Sequence, residues 1–371
     1  MKRQLPAAGR TADLHPFPME LPDLPVEELR VRLGRERVYK LSFNENPYGP
    51  SPAVARALQE AAATFHLYPD AYGRALCAQM AAFYGLSPEQ FLLGNGADEV
   101  INLVAMAFLD PGDRVLIPSP TFGAYGAAAR LAGAVPVTVP LKDYRIDLDL
   151  VAAAVTAGTK MIFLCNPNNP TGTAFPAAAL ASFLNRLPEG VLVVVDEAYN
   201  EYTDDPASYT ALSLLDTHPH LLVIRTFSKI YGLAAARVGY LMGSAELIRQ
   251  VHRVRPPFNV GAPGQVAALA AFGDRAYVDR MREQNSRQRR WLTEKLTALG
   301  WRVVPGQANF LLVDTGRDGR EAFTRLAEQG VIVRPCHGFQ LPTCLRITIG
   351  RPEENAALVQ ALEGENTRGS G

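Results

Sequence analysis

Short runs of apolar residues alternate along this chain with longer stretches of helical periodicity. The runs fall at 114–117, 134–139, 161–165, 192–195, 221–225 and 238–242. Within each run the polarity is continuous rather than alternating. That pattern predicts strands covered on both faces, as in a parallel or mixed sheet inside an α/β domain. Each run ends in a Gly, Pro, Asn or Asp cluster, and several are followed by a helical pattern. Ser51-Pro52 predicts a helix start, with Ser as N-cap and Pro in the first turn, continued by an Ala-rich stretch to Ala63. The apolar segment 100–109 reads as a buried helix. A second regime begins near Gly264: one long helical pattern to about Leu299, then strands at 301–304, 309–313, 331–333 and 345–349, with helices at 320–328 and 353–362. A short helix is expected at 26–33, and the polar, Gly-rich tail from Gly364 is expected to fray. We therefore expect a large domain over 45–265, and a smaller α+β domain from 266–371 together with part of the 1–44 arm.

Composition narrows the function. The 371 residues carry 37 basic and 37 acidic side chains, so no broad basic surface is implied and nucleic acid is a poor partner. No segment has the apolar length of a membrane helix, and the Met1-Lys2-Arg3 start is broken at once by polar residues and prolines. Cys77, Cys165, Cys336 and Cys344 form no C-x-x-C pair, so neither a metal site nor a disulfide framework is expected. Small buried thiols in a reducing cytoplasm fit this usage.

The candidate chemistry sits where strands end or helices begin, which is where open α/β sheets bind ligands. Lys229, in Thr226-Phe227-Ser228-Lys229, follows the 221–225 strand. Read alone it is a solvated lysine. With a fixed cation such as Arg237 nearby, its pKa would fall, and a neutral amine is what imine formation requires. Asp196 closes the 192–195 strand. It is either a helix N-cap or an acid that keeps a proton on a pyridine nitrogen, making the ring an electron sink. Gly94-Asn95-Gly96-Ala97-Asp98-Glu99 opens a helix whose free N–H groups suit a phosphate, or is a plain turn. Asn166-Pro167-Asn168-Asn169-Pro170-Thr171-Gly172 is a rigid turn in any fold, and Asn169 has an amide to offer a phenolate oxygen.

Taken in this order at these strand ends, the motifs resemble fold type I transferases that depend on pyridoxal 5'-phosphate (PLP), and within them the histidinol-phosphate aminotransferase family. The likeness runs from about Leu41 to Arg351. It rests on Asn-Glu-Asn-Pro-Tyr-Gly-Pro at 44–50, Tyr68-Pro69-Asp70, the segments at 94–99 and 166–172, Pro-Thr-Phe-Gly-Ala-Tyr at 120–125, Asp-Glu-Ala-Tyr at 196–199, Thr-Phe-Ser-Lys at 226–229, and Leu-Arg-Ile-Thr-Ile-Gly at 345–350. The resemblance implies a mostly parallel sheet sandwiched by helices, plus the smaller α+β domain. It implies that Lys229 carries PLP as a Schiff base and shuttles the proton. Asp196 would pair with the pyridine nitrogen, and Tyr199 and Asn169 with the ring hydroxyl oxygen. Phe122 would stack on the ring. Ala97, Asp98, Thr226, Ser228 and Arg237 would hold the phosphate, joined by Tyr68 of a second subunit in a homodimer with shared sites. Arg346 would bind the α-carboxylate of glutamate and, with Arg334, the phosphate of the other substrate. Asn46 would lie on the substrate side.

The implied reaction is amino transfer from histidinol phosphate to 2-oxoglutarate. An aromatic-amino-acid aminotransferase and a phospho-amino-acid decarboxylase remain open on the same scaffold. A PLP-sensing transcription regulator would need an appended DNA-binding module, for which the arm before Leu41 has no room. The chain departs from the family pattern at Phe122, where Tyr is usual, at Ala234-Ala235-Ala236 before Arg237, at 259–263, and at Cys336-His337-Gly338-Phe339 near the substrate side.

Overall fold

The computed structural model describes residues 20–368, so the first part of the expected arm and residues 369–371 lie outside the described residues. In chain order the strands are β1 (Tyr39–Lys40), β2 (Phe91–Gly94), β3 (Arg114–Ser119), β4 (Val135–Pro140), β5 (Thr159–Cys165), β6 (Leu192–Asp196), β7 (Leu221–Thr226), β8 (Gly239–Gly243), β9 (Arg302–Val304), β10 (Phe310–Asp314), β11 (Val331–Ile332), β12 (Arg334–Pro335) and β13 (Cys344–Thr348). Seven of them form one sheet in the order β2-β8-β7-β6-β5-β3-β4. All its pairings are parallel except those of β8, which runs antiparallel to both β2 and β7.

The continuous apolar runs have a direct cause. Side chains alternate across the sheet, and each face has its own core. Leu116, Ile162, Leu164, Val193, Val195, Leu221 and Val223 enter one core. Val115, Ile117, Met161, Phe163, Val194, Leu222 and Ile224 enter the other. The expectation of two-sided cover fails only at β4. That strand is an edge, paired to β3 alone, and of its six residues only Val139 is buried.

Four antiparallel strands, β12-β13-β10-β9, make the second sheet, while β1 pairs in parallel with β11. A third core joins the two chain ends: Leu24, Leu29, Val38 and Leu41 pack with Leu311, Val313, Leu326, Ile347 and Leu358.

The helical pattern expected to be unbroken from 264 to 299 is two helices, Ala262–Gly273 and Arg275–Ala298. The break is Asp274, whose side chain accepts from the Tyr277 N–H at 3.1 Å and caps the second helix. Periodicity resumes so soon after one capping residue that the sequence pattern hides the break. The second helix gives Tyr277, Val278 and Met281 to the core of the large sheet, and Leu292 and Leu296 to the third core. The tail departs from expectation as well: the last helix continues through Gly364 to Arg368. Its first turns are docked by Leu358, Val359 and Leu362, and once nucleated a helix tolerates one glycine at roughly 1 kcal/mol.

Candidate active site

The chain reverses direction across the large sheet between β3 and β5: β4 lies to one side, β6 and β7 to the other. The carboxyl ends of these strands frame a crevice. Phe122 follows β3, Asn169 follows β5, Asp196 ends β6 and Lys229 follows β7. The loops after β3 and β5 are tied together, since the Thr121 hydroxyl donates to Asn168 Oδ1 at 2.7 Å and Asn168 Nδ2 donates to the Pro120 carbonyl at 3.1 Å.

Lys229 Nζ donates to the Phe43 carbonyl at 3.0 Å and lies 5.6 Å from the centre of the Tyr199 ring. Burial lowers its pKa to about 8, helped next by the positive charge of Arg346. The sequence suggested Arg237 as the cation responsible. The structure makes desolvation the main cause and Arg237 the least of the named contributors. Thus Arg346, on β13 of the four-stranded sheet, tunes a lysine that follows β7 of the seven-stranded one.

Asp196 is 3% exposed. Its Oδ2 accepts from the Tyr125 hydroxyl at 2.8 Å and its Oδ1 from the Ala198 N–H at 3.0 Å. Neither partner is a cation, and burial raises its pKa to about 6. A buried carboxylate placed this way favours a positively charged neighbour supplied from outside the chain. Tyr199 is buried, accepts from Asn44 Nδ2 at 3.1 Å, and has its pKa raised by burial. Asn169 Oδ1 accepts from Arg346 Nη1 at 2.7 Å. The Phe122 ring meets Tyr125 edge-on at 5.7 Å.

The expected phosphate segment forms a cradle at the start of helix Gly96–Phe108. Arg237, in a left-handed backbone conformation, donates to Asp98 Oδ2 at 3.2 Å and to Ser228 Oγ at 3.3 Å. The Ser228 N–H is held by Thr226 Oγ1 at 3.0 Å. Two glycines keep the cradle open. A Cβ on Gly239 would stand 2.6 Å from the Ala97 nitrogen, and one on Gly96 would strike the Arg237 guanidinium. Ala234–Ala236, the departure ahead of Arg237, form a short turn with none of the three buried, so their methyl groups do not fill the cradle. A buried acid without a cation, a lysine of lowered pKa, and a basic, glycine-walled helix start together suit a phosphorylated pyridine aldehyde. On that donor set the residues present fit PLP.

Arg346 lies on β13 directly opposite Arg334 on β12. Arg346 is 6% exposed; its Nη2 donates to the Ser42 carbonyl at 2.6 Å, and its buried Nε has no partner among the described residues. Arg334 pairs with Asp23 and lies over the Phe43 ring, 5.3 Å from its centre. Asn46 donates to the Ile230 carbonyl at 2.8 Å and accepts from the Tyr48 N–H at 3.0 Å, which fastens the 44–50 loop beside Lys229. Tyr68 is 82% exposed and stacks on Phe258 at 4.8 Å. Sequence reasoning did not single out Tyr125, Asn44, Phe43 or Asp23. Tyr125 and Asn44 sit inside motifs already legible, but their partners are 71 and 155 residues away. Nothing in the sequence marks Asp23.

Residues 36–362 match the family described as aminotransferase class I and II. A histidinol-phosphate aminotransferase of Moorella thermoacetica is 44% identical over 92% of this chain and 89% of its own length. One from Symbiobacterium thermophilum is 43% identical over 92% and 94%. Among solved structures, histidinol-phosphate aminotransferase from Sinorhizobium meliloti in complex with pyridoxal-5'-phosphate superposes with a TM-score of 0.87 at 29% identity, covering 97% of each chain. Aspartate aminotransferase from Thermus thermophilus with maleate gives a TM-score of 0.84 at 27% identity, covering 97% of this chain and 98% of the other.

Proposed function

The chain belongs to the class I and II aminotransferase family, and from that premise we propose that it passes the amino group of histidinol phosphate to 2-oxoglutarate, giving imidazole-acetol phosphate and glutamate. The observation that carries this reading is the pair of arginines, Arg334 and Arg346, at directly opposite positions of the β12–β13 ladder. Both substrates bring an anion, a phosphate in one half-reaction and a carboxylate in the other. A planar guanidinium can take either in two parallel hydrogen bonds.

Bound PLP supplies an aldehyde that condenses with amines and a ring that draws electrons from the α-carbon. The chain's own residues set the conditions. Lys229, with a pKa near 8, has a substantial neutral fraction at physiological pH, so its Nζ can act as a nucleophile and then carry a proton. Asp196 gives a pyridine nitrogen a negative partner, and Tyr125 holds that carboxylate in line. With PLP bound, Asn169 and Tyr199 would hydrogen-bond its ring oxygen, Phe122 would stack on the ring, and the cradle of Ala97, Asp98, Thr226, Ser228 and Arg237 would hold the phosphate. Arg346 takes the α-carboxylate.

Tyr68 completes the site of a second copy in a homodimer, and its 82% exposure beside Phe258 is the surface available for that role. The four free, buried cysteines suit a cytoplasmic enzyme. We take 45–265 as the large domain and 266–371 with part of the 1–44 arm as the small one, and assign helix Arg275–Ala298 as the bridge, since it feeds both cores.

The first test is a half-reaction: PLP-loaded protein mixed with L-histidinol phosphate, without 2-oxoglutarate, and followed by absorbance. Conversion of the cofactor from its aldehyde to its amine form supports the reading. Conversion with phenylalanine but not with histidinol phosphate would move the assignment to an aromatic-amino-acid aminotransferase. Arg334→Ala should weaken histidinol phosphate far more than glutamate; equal losses would remove Arg334 from phosphate binding.

A further inference from the structure

We propose that Asp23, on the N-terminal segment, is a positioning residue that presets the Arg334 guanidinium for the phosphate of the amino donor; this rests on the assignment of Arg334 made above. Arg334 and Arg346 occupy directly opposite positions of an antiparallel ladder, so their side chains leave the same face of the sheet. Two like charges there repel, and a free arginine has rotamers to escape into. Arg346 is held by the Asn169 and Ser42 oxygens. Arg334 has neither, and among the described residues its side chain makes one hydrogen bond, from Nη2 to Asp23 Oδ1.

Asp23 is itself fixed. It is 7% exposed, and its Oδ2 accepts from the Glu20 N–H at 3.0 Å. The short turn that carries it, Leu21–Asp23, is pinned where the Ser42 hydroxyl donates to the Pro22 carbonyl at 2.9 Å. Ser42 is the residue whose carbonyl holds Arg346. One segment of chain therefore orients both arginines. Below them the Phe43 ring carries the Arg334 guanidinium at 5.3 Å and the Lys40 ammonium at 4.3 Å. Nη2 is engaged by a fixed carboxylate and one face lies against an aromatic ring, while the N–H groups of Nη1 and Nε make no hydrogen bond among the described residues and are left for a ligand. An anion that meets a guanidinium already held in this way does not have to order it, and binding is stronger by that saving in entropy. Arg346 is held without Asp23, so the α-carboxylate of glutamate should not feel its loss.

The test is steady-state kinetics of the PLP-loaded enzyme with both amino donors, alongside thermal melts. Asp23→Ala should raise KM for histidinol phosphate about tenfold or more, by loss of a charge-assisted hydrogen bond, and leave KM for glutamate within about twofold. Asp23→Asn keeps an acceptor of the same shape and should restore most of the loss, to within about threefold of wild type. In an Arg334→Ala background, Asp23→Ala should add nothing for either donor. A general structural role would instead raise both KM values together, or lower the melting temperature without a donor-specific split, and either result overturns the proposal. So does a fall in KM for histidinol phosphate, which would make Asp23 a competitor of the substrate anion. If the Ala variant does not fold, the Asn variant and the Arg334→Ala pair carry the comparison. A wild-type enzyme that ignores histidinol phosphate sinks the functional reading and this inference with it. A wild-type enzyme that converts it, with KM unchanged in Asp23→Ala, overturns the inference alone.

Discussion

At the scale of single residues, burial shifts two groups of the site toward their uncharged forms. Asp196 has a pKa raised to about 6 from the 3.8 of a free carboxyl, and burial is the main cause. Relative to the unfolded chain the folded state favours the protonated acid, so the penalty on folding is absent below about 3.8, grows between there and about 6, and is fully in place above about 6. Asp196→Asn should stabilise the cofactor-free protein at pH 7 by roughly 2 kcal/mol, because the amide keeps the shape and can still meet Tyr125. The same variant should lose most transaminase activity. Melts of the cofactor-free protein set beside turnover check both, and a destabilised variant would contradict the burial argument. Lys229 is perturbed the other way, down to about 8. Its neutral form should grow as pH rises through about 8, and the rate at which cofactor-free protein captures PLP should rise over the same interval. A flat profile there would mean that the amine is already neutral or not rate-determining. Lys229→Arg keeps the charge but removes the nucleophile and proton carrier, and should cut turnover by more than about a thousandfold.

The elements act by bringing backbone close to backbone. β8 is the one antiparallel member of the large sheet, and it places Gly239 against the first turn of helix Gly96–Phe108. A methyl group there has no room, with the Ala97 nitrogen at 2.6 Å and the Gly96 carbonyl carbon equally close. Gly239→Ala should push the helix start away from the cradle. We expect a stability loss of about 1–3 kcal/mol from overpacking, and PLP affinity lower by at least tenfold. Equilibrium dialysis of PLP and a denaturant titration measure the two. Unchanged affinity would show that the cradle is not where the phosphate rests. Strand ends do the remaining alignment: Asp196 stands beside Cys165 in the β5–β6 register, and Thr226 beside Gly239 in the β7–β8 register. One shift of register would turn Asp196 to the opposite face of the sheet.

For the whole molecule, three cores are stitched into one body. Helix Arg275–Ala298 crosses between the core of the large sheet and that of the small unit, and the chain's N-terminal segment reaches the small unit before the large sheet begins. The site lies where these bodies meet: Arg346 bonds Asn169, Lys229 bonds the Phe43 carbonyl, and Thr348 Oγ1 donates to Asn44 Oδ1 at 3.1 Å. The exposed side chains of Phe65, Leu67, Tyr68, Tyr72 and Phe258 fit the proposed contact with a second copy. Mixing Lys229→Ala subunits with Tyr68→Ala subunits should then restore activity that neither variant has alone, since one of the two sites in a mixed dimer receives both wild-type residues. No gain on mixing, with hybrid dimers present in native mass spectra, would place each site within one chain.

Much of this was legible in the sequence, and the legible part has a common character. Strand runs, the Ser51-Pro52 helix start, the Gly-rich helix entrance at 94–99 and the lysine after β7 are local signals, written within a dozen residues by side-chain period, capping chemistry and backbone freedom. They were enough for the α/β class and the strand ends where Lys229, Asp196 and Asn169 sit, while the cofactor followed from the likeness of the motif set to a known family. Contacts between segments distant in sequence leave no such mark. The Tyr125 hydroxyl on Asp196, the Arg346 charge beside Lys229 and the carboxylate of Asp23 on Arg334 join residues 71, 117 and 311 positions apart. The edge position of β4 depends likewise on what packs alongside. Periodicity determines which face of an element is apolar; which elements meet, and so which charges and hydroxyls face one another across the crevice, is decided only when the cores close.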